Sequence, residues 1–113
     1  MIIIEKFIYL PNNVKTAYVM LFARKIKELR MRNQIPQRVV AAVLNIDTAT
    51  YCKIEKGERK AKRDQISQLS TLLNVDREEL LALWLADKVT DIVSIDRQVA
   101  SNALAIAAQN LNK

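Results

Sequence analysis

Histidine is absent from this chain of 113 residues, which also has only one Cys, one Gly and two Pro. Without His, the commonest general base and the commonest metal ligand are missing. A lone cysteine, Cys52, excludes an intrachain disulfide framework and fits a reducing cytoplasm. So few turn formers cannot serve a sandwich or barrel, which needs a turn every 8–12 residues or so. No apolar run approaches the roughly 20 residues of a membrane span, so no membrane association is expected. Met1-Ile2-Ile3-Ile4 is apolar, but Glu5 and Lys6 interrupt it, and the basic flank and small-residue cleavage site of a signal peptide are lacking. There is no glycine-rich phosphate loop and no convincing nucleophile–base pair. The acids Asp76, Glu78 and Glu79 are explained as helix N-terminal charges. The expectation is a protein that is not an enzyme, holds no metal and needs no cofactor.

What remains is hydrophobic and basic. Half of the residues are hydrophobic, 50%, which argues against disorder along the whole chain. The net charge of +6 is unevenly placed. Residues 24–63 carry 12 Lys/Arg against 4 acids, a balance of +8, while all the others carry 6 against 8, a balance of −2. Charge blocked in this way suggests a surface that faces a polyanion; the bland alternative is a solvated basic face.

Apolar spacing predicts helices joined by short turns, an all-α class. Residues 1–14 read as a short extended arm, rich in strand formers and closed by Pro11-Asn12-Asn13; alternatively a natural start lies at Met20. A first helix is expected over 15–33, with Ala17, Met20, Leu21, Ala23, Ile26 and Leu29 inward and Glu28 pairing with Arg24 or Arg32. Pro36 opens a second helix, whose buried side is assigned to Val39, Val40, Val43 and Leu44, with Ala41 and Ala42 keeping another side slim. Asn45-Ile46-Asp47 makes a tight turn, since Asn tolerates the left-handed conformation. Asp47 caps a third helix with Thr50 at its N3 position, and Gly57 ends it. A basic loop, Arg59-Lys60-Ala61-Lys62-Arg63, leads to a fourth helix on Ile66, Leu69, Leu72 and Leu73. Asp76 and Glu79 form a capping box for a fifth helix that runs towards Val93, with Leu80 and Trp84 closing the core. After a break near Ser94–Asp96, a last helix runs to about Leu111.

The central unit is therefore a short helix, a three-residue turn and a second short helix that ends in glycine, centred on residues 37–57. The stretches Lys25-Ile26-Lys27-Glu28-Leu29-Arg30, Pro36-Gln37-Arg38-Val39-Val40-Ala41 and Tyr51-Cys52-Lys53-Ile54-Glu55-Lys56-Gly57 resemble the lambda-repressor-like (XRE or Cro-type) helix-turn-helix domain. The resemblance covers roughly residues 20–85 and implies a five-helix DNA-binding domain that places its third helix in the major groove. It carries base contact onto Thr48, Ala49, Cys52 and Lys53, with Lys53 the best match for guanine. It carries phosphate contact, and support of the recognition helix, onto Gln37. Arg38, Lys56, Arg59, Lys60, Lys62 and Arg63 are the basic candidates for further phosphates; six neutralised phosphates would give a salt slope near about −5. Arg30 and Glu55 are assigned to a structural ion pair, and Tyr51 and Ile54 to the core. Two departures stand out: Asn45 where the turn usually has Gly, and Pro36 where a Ser often precedes the glutamine. Thr48 and Ala49 are also smaller than the polar side chains usual there. Cys52 reads as a small residue in place of Ser; a redox switch there would require a depressed thiol pKa.

Residues 86–113 exceed what the 15–85 domain needs. Ile92, Ile95, Val99, Ala103 and Ile106 form an apolar stripe that a homodimer would bury, or that folds back on its own domain. The functional expectation is a cytoplasmic, sequence-specific regulator bound to double-stranded DNA, a repressor by preference. The alternative is an antitoxin or a restriction–modification controller whose C-terminal helix binds a protein partner.

Overall fold

The computed structural model describes residues 20–113. The expected arm, and the expected helical start at residues 15–19, lie outside the described residues. Seven helical segments follow in order: α1 (Leu21–Arg32), α2 (Gln37–Leu44), α3 (Thr48–Glu55), α4 (Arg63–Leu73), α5 (Arg77–Val93), a 3-10 turn (Ser94–Asp96) and α6 (Arg97–Leu111). No strand occurs among the described residues. No helix among them is long and apolar enough to cross a membrane.

The core follows the apolar spacing. Tyr51, Ile26, Ile66, Leu69, Leu73, Leu80 and Val40 are its largest fully buried side chains. They come from each of α1 to α5, so these five helices share one core. Trp84 packs against its edge and donates its indole N–H to the Ala61 carbonyl at 2.8 Å. Its ring stays half-buried, with the Lys88 ammonium 4.2 Å from its centroid.

Several details correct the sequence reading. Met20 is extended (φ −84, ψ 93), so the first described helix begins at Leu21. Its inward face is Phe22, Ala23, Ile26 and Leu29, while Leu21 is exposed. In α2 the buried arc is Val40, Ala41 and Leu44; Val39 is half-buried and Val43 is exposed. Steps of three and four residues from Leu44 return to Ala41 and Val40, and turn Val43 off that arc. Pro36 stands one position outside the helix, at its extended cap (φ −66, ψ 149). The Asp76–Glu79 capping box does not form: Asp76 occupies the cap position without a side-chain bond, and Glu79 pairs instead with Lys25 of α1 at 3.3 Å. Glu28 pairs with Arg32 at 3.1 Å, as one of its two expected partners.

A chain with one glycine must make its sharp turns otherwise. Asn45 (φ 58) and Asn74 (φ 54) take left-handed positions after α2 and α4, and Gln34 (φ 57) does so between α1 and α2. Asn pays least there among non-glycine residues, because its short amide bonds locally. Gly57 (φ 78) turns the chain out of α3, where an added Cβ would stand 3.0 Å from Met20 Cγ. Both the conformation and the close Met20 side chain favour glycine at this place.

An acid from α5 fixes the start of α1. The Asp87 carboxylate is buried and accepts the backbone N–H groups of Leu21 and Phe22, each at 2.9 Å. Met20 makes no side-chain cap bond, so these first-turn donors find their acceptor more than sixty residues along the chain. α6 has a different status. It packs on α5 and the 3-10 turn, and none of its residues is buried.

Candidate nucleic-acid interface

Helix α3 presents two unlike faces. Tyr51, Ile54 and Glu55 point inward and are buried. Thr48, Ala49 and Lys53 are exposed, and Cys52 is half-buried at the border. The helix starts where it does because the Asp47 carboxylate accepts the Thr50 N–H at 2.6 Å. Hydrogen bonding from Thr50, with lesser help from Lys53 and Arg59, holds the Asp47 carboxyl below the ordinary carboxylate range. Asn45, at φ 58 and ψ 45, sets the angle between α2 and α3.

The inner face of α3 is locked to α1 and α2 through one carboxylate. Glu55 Oε2 accepts from Arg30 Nε at 2.5 Å and from the Tyr51 hydroxyl at 2.5 Å. Glu55 Oε1 accepts from Arg30 Nη2 and from Gln37 Nε2, both at 3.1 Å. Arg30 Nη1 also donates to the Ile35 carbonyl at 2.9 Å. The side chains of Arg30 and Glu55 are 13% and 2% exposed. Burial alone would raise the Glu55 pKa; the hydrogen bonds from Arg30, Tyr51 and Gln37 outweigh it and hold the carboxyl low. The bond to Glu55 raises Arg30 against its own desolvation. Burial, then the bond to Glu55, pushes the Tyr51 phenol far up, so it remains a donor. A carboxylate that accepts four hydrogen bonds fixes three helices at one point, and the outer face of α3 is held rigidly as a result.

Gln37 is thus less free than the sequence suggests. Its amide nitrogen is engaged with Glu55, and its oxygen accepts from Cys52 Sγ at 3.1 Å. One amide N–H remains beyond the bond to Glu55. The Cys52 thiol serves as a donor on the helix border, linking α3 to the start of α2.

The basic residues Arg38, Lys56, Arg59, Lys60, Lys62 and Arg63 are all exposed. Arg38 lies in the first turn of α2, Lys56 at the end of α3, and Arg63 opens α4. The segment between is not a free loop, since Ala61 is buried and its carbonyl is held by Trp84. Lys60 forms an ion pair with Asp91 of α5. The other five basic residues make no ion pair among the described residues. The structure therefore places the exposed face of α3 beside the chain segment that carries the basic cluster, and assigns Arg30 to the interior.

The C-terminal stripe lies apart from this surface in sequence and is uncovered. Ile92, Ile95, Val99, Ala103 and Ile106 are all exposed, with Ile95 at 88%. α6 touches α5 and the 3-10 turn, and the stripe itself stays exposed.

Sequence reasoning missed Asp87 and Asp91. Both are acids of α5, and with Trp84 and Lys88 they recur at helical spacing on one face. That spacing was the available signal; which groups they would meet was not available. A family model described as a helix-turn-helix domain matches residues 21–83, a little over half of the chain. No match was found among curated proteins or among solved structures.

Proposed function

Because the chain belongs to the helix-turn-helix domain family, we propose that it binds double-stranded DNA as a sequence-specific transcription regulator, with α3 in the major groove. The observation that carries this reading is the rigid outer face of α3, braced by the Glu55 carboxylate and flanked by exposed, mostly unpaired basic residues. Lys53 is the residue best suited to guanine O6 and N7. Thr48 can donate or accept, Ala49 fits a thymine methyl group, and Cys52 lies at the edge of the reading face. Gln37, Arg38, Lys56, Arg59, Lys62 and Arg63 would contact phosphates and set the register of α3 on the duplex. The finer assignment is to the lambda-repressor-like (XRE or Cro-type) branch, acting as a repressor that occludes a promoter.

The exposed apolar stripe of α5 and α6 favours a homodimer as the working form. The same stripe supports a second reading, in which an antitoxin or restriction–modification controller uses α6 to bind a protein partner. The first test is selection of bound duplexes from a random library. A pseudo-palindromic motif is the expected result, with Lys53→Ala relaxing preference at one base position. Weak binding that is abolished by salt and enriches no motif would refute sequence-specific regulation.

A further inference from the structure

Among the described residues, Lys60 is the one member of the basic cluster that already has an anion. Its ammonium is paired with the Asp91 carboxylate, which lies 31 residues further along the chain on α5. Both ends of the pair are anchored. On one side, the neighbouring Ala61 is buried and its carbonyl is held by Trp84 at 2.8 Å, so Lys60 leaves the backbone from a fixed point. On the other, Asp91 sits about one turn beyond Asp87, whose carboxylate is bonded to the first two N–H groups of α1. Arg59 and Lys62 leave the same anchored segment and make no ion pair among the described residues. Lys60 and Asp91 remain partly open to solvent, with side chains 49% and 33% exposed, and ion pairs of that kind are weak.

We propose that Asp91 is a positioning residue for DNA binding: it holds Lys60 as an internal substitute for a backbone phosphate and keeps it from adding its full charge to the interface. The proposal rests on the DNA-binding reading above and deepens it. The affinity of a basic surface for duplex DNA comes largely from counterions released as phosphates are neutralised. A lysine neutralised by its own protein has no such contribution to make unless it first leaves its partner. The pair therefore sets a lower affinity and a shallower salt dependence than the number of basic residues implies. Weaker general attraction leaves more of the binding energy to α3 and its base contacts, which favours the specific site over random DNA.

The test is titration of a selected duplex with four full-length proteins: wild type, Asp91→Asn, Lys60→Ala and the double variant. Affinity is read between about 50 and 300 mM salt, where the log–log slope changes by about 0.9 for each phosphate neutralised. Asp91→Asn should tighten binding about threefold to tenfold at the low-salt end and steepen the slope by about one. Lys60→Ala alone should change affinity by less than about twofold, and the double variant should lose the gain of Asp91→Asn. Thermal melting of each protein reports whether it is folded. A binding wild type with an unchanged or weakened Asp91→Asn would overturn the proposal alone. So would a double variant that keeps the whole gain, which means plain charge repulsion, or a Lys60→Ala loss near tenfold. A wild type that binds no duplex overturns the DNA reading, and the proposal with it.

Discussion

The Glu55 carboxylate ties three helices together, because it joins Arg30, Gln37 and Tyr51. Removing either member of a buried pair strands the other, so Arg30→Ala or Glu55→Ala should each cost about 3–5 kcal/mol in chemical denaturation. The sign of the pH dependence follows from the depressed Glu55 pKa. A carboxyl lower in the folded state than in the unfolded one stabilises fully above the unfolded value, near about 4.3. That contribution is lost as pH falls through the lower, folded value. Urea melts over pH 3 to 6 or so should therefore show an acid-side loss of stability that is blunted in Glu55→Gln. A Glu55→Gln protein with the same acid profile as wild type would show that this group does not carry the effect. The Arg30–Glu55 pair was legible through family resemblance. So was the support that Gln37 gives to α3; the Tyr51 hydroxyl bond was not, since that residue was assigned only to the core. A hydrogen-bond partner on another helix depends on approach distances that residue type and spacing do not encode.

Element boundaries were legible where a backbone constraint is local. Asn45, Asp47 and Gly57 end and begin helices through their own conformations or their own side chains, and the structure has them in those places. Failures occurred where two partners compete. Glu79 could bond back to its own helix start or reach Lys25, and the cross-helix ion pair forms. Short helices also misled the reading of faces: α2 has 8 residues, too few for periodicity to separate Val43 from Val40. The start of α1 shows the same limit more sharply, for its acceptor is supplied by α5. Hydrogen bonds to a charged group contribute about 1.5–3 kcal/mol, and a buried donor left unpaired costs more than the average bond. Asp87→Ala should thus destabilise the fold by about 2 kcal/mol or more, and the loss should begin locally. Hydrogen exchange should quicken at the Leu21 and Phe22 amides before the core amides of α4 respond. Equal acceleration throughout would mean that Asp87 supports the whole fold and not the start of α1.

At the scale of the whole molecule, charge and apolar surface are segregated. The basic excess lies in residues 24–63, while α6 contains Arg97 as its sole charged residue. A face with almost no charge does not repel its own copy, so a two-fold related contact is electrostatically permitted. Area points the same way. Leu85, Val89, Ile92, Ile95, Val99, Leu104, Ile106 and Leu111 are all exposed. A stable interface takes about 800 Å² from each partner, and Ile92, Ile95, Val99 and Ile106 supply the centre of such a patch. A dimer would present two copies of α3, and paired half-sites of this motif lie about 34–36 Å apart, one turn of the duplex. Sedimentation at micromolar protein should then report a dimer, and Ile95→Glu together with Val99→Glu should report a folded monomer. Neither side chain is buried within the chain, so melting of the variant should stay close to that of wild type at matched occupancy. Its affinity for a palindromic site should fall steeply, while affinity for a single half-site should hardly change, because only the linkage between two binding events is lost. A wild-type monomer would remove the second copy as the occupant of this stripe and leave a different protein as the partner to be sought.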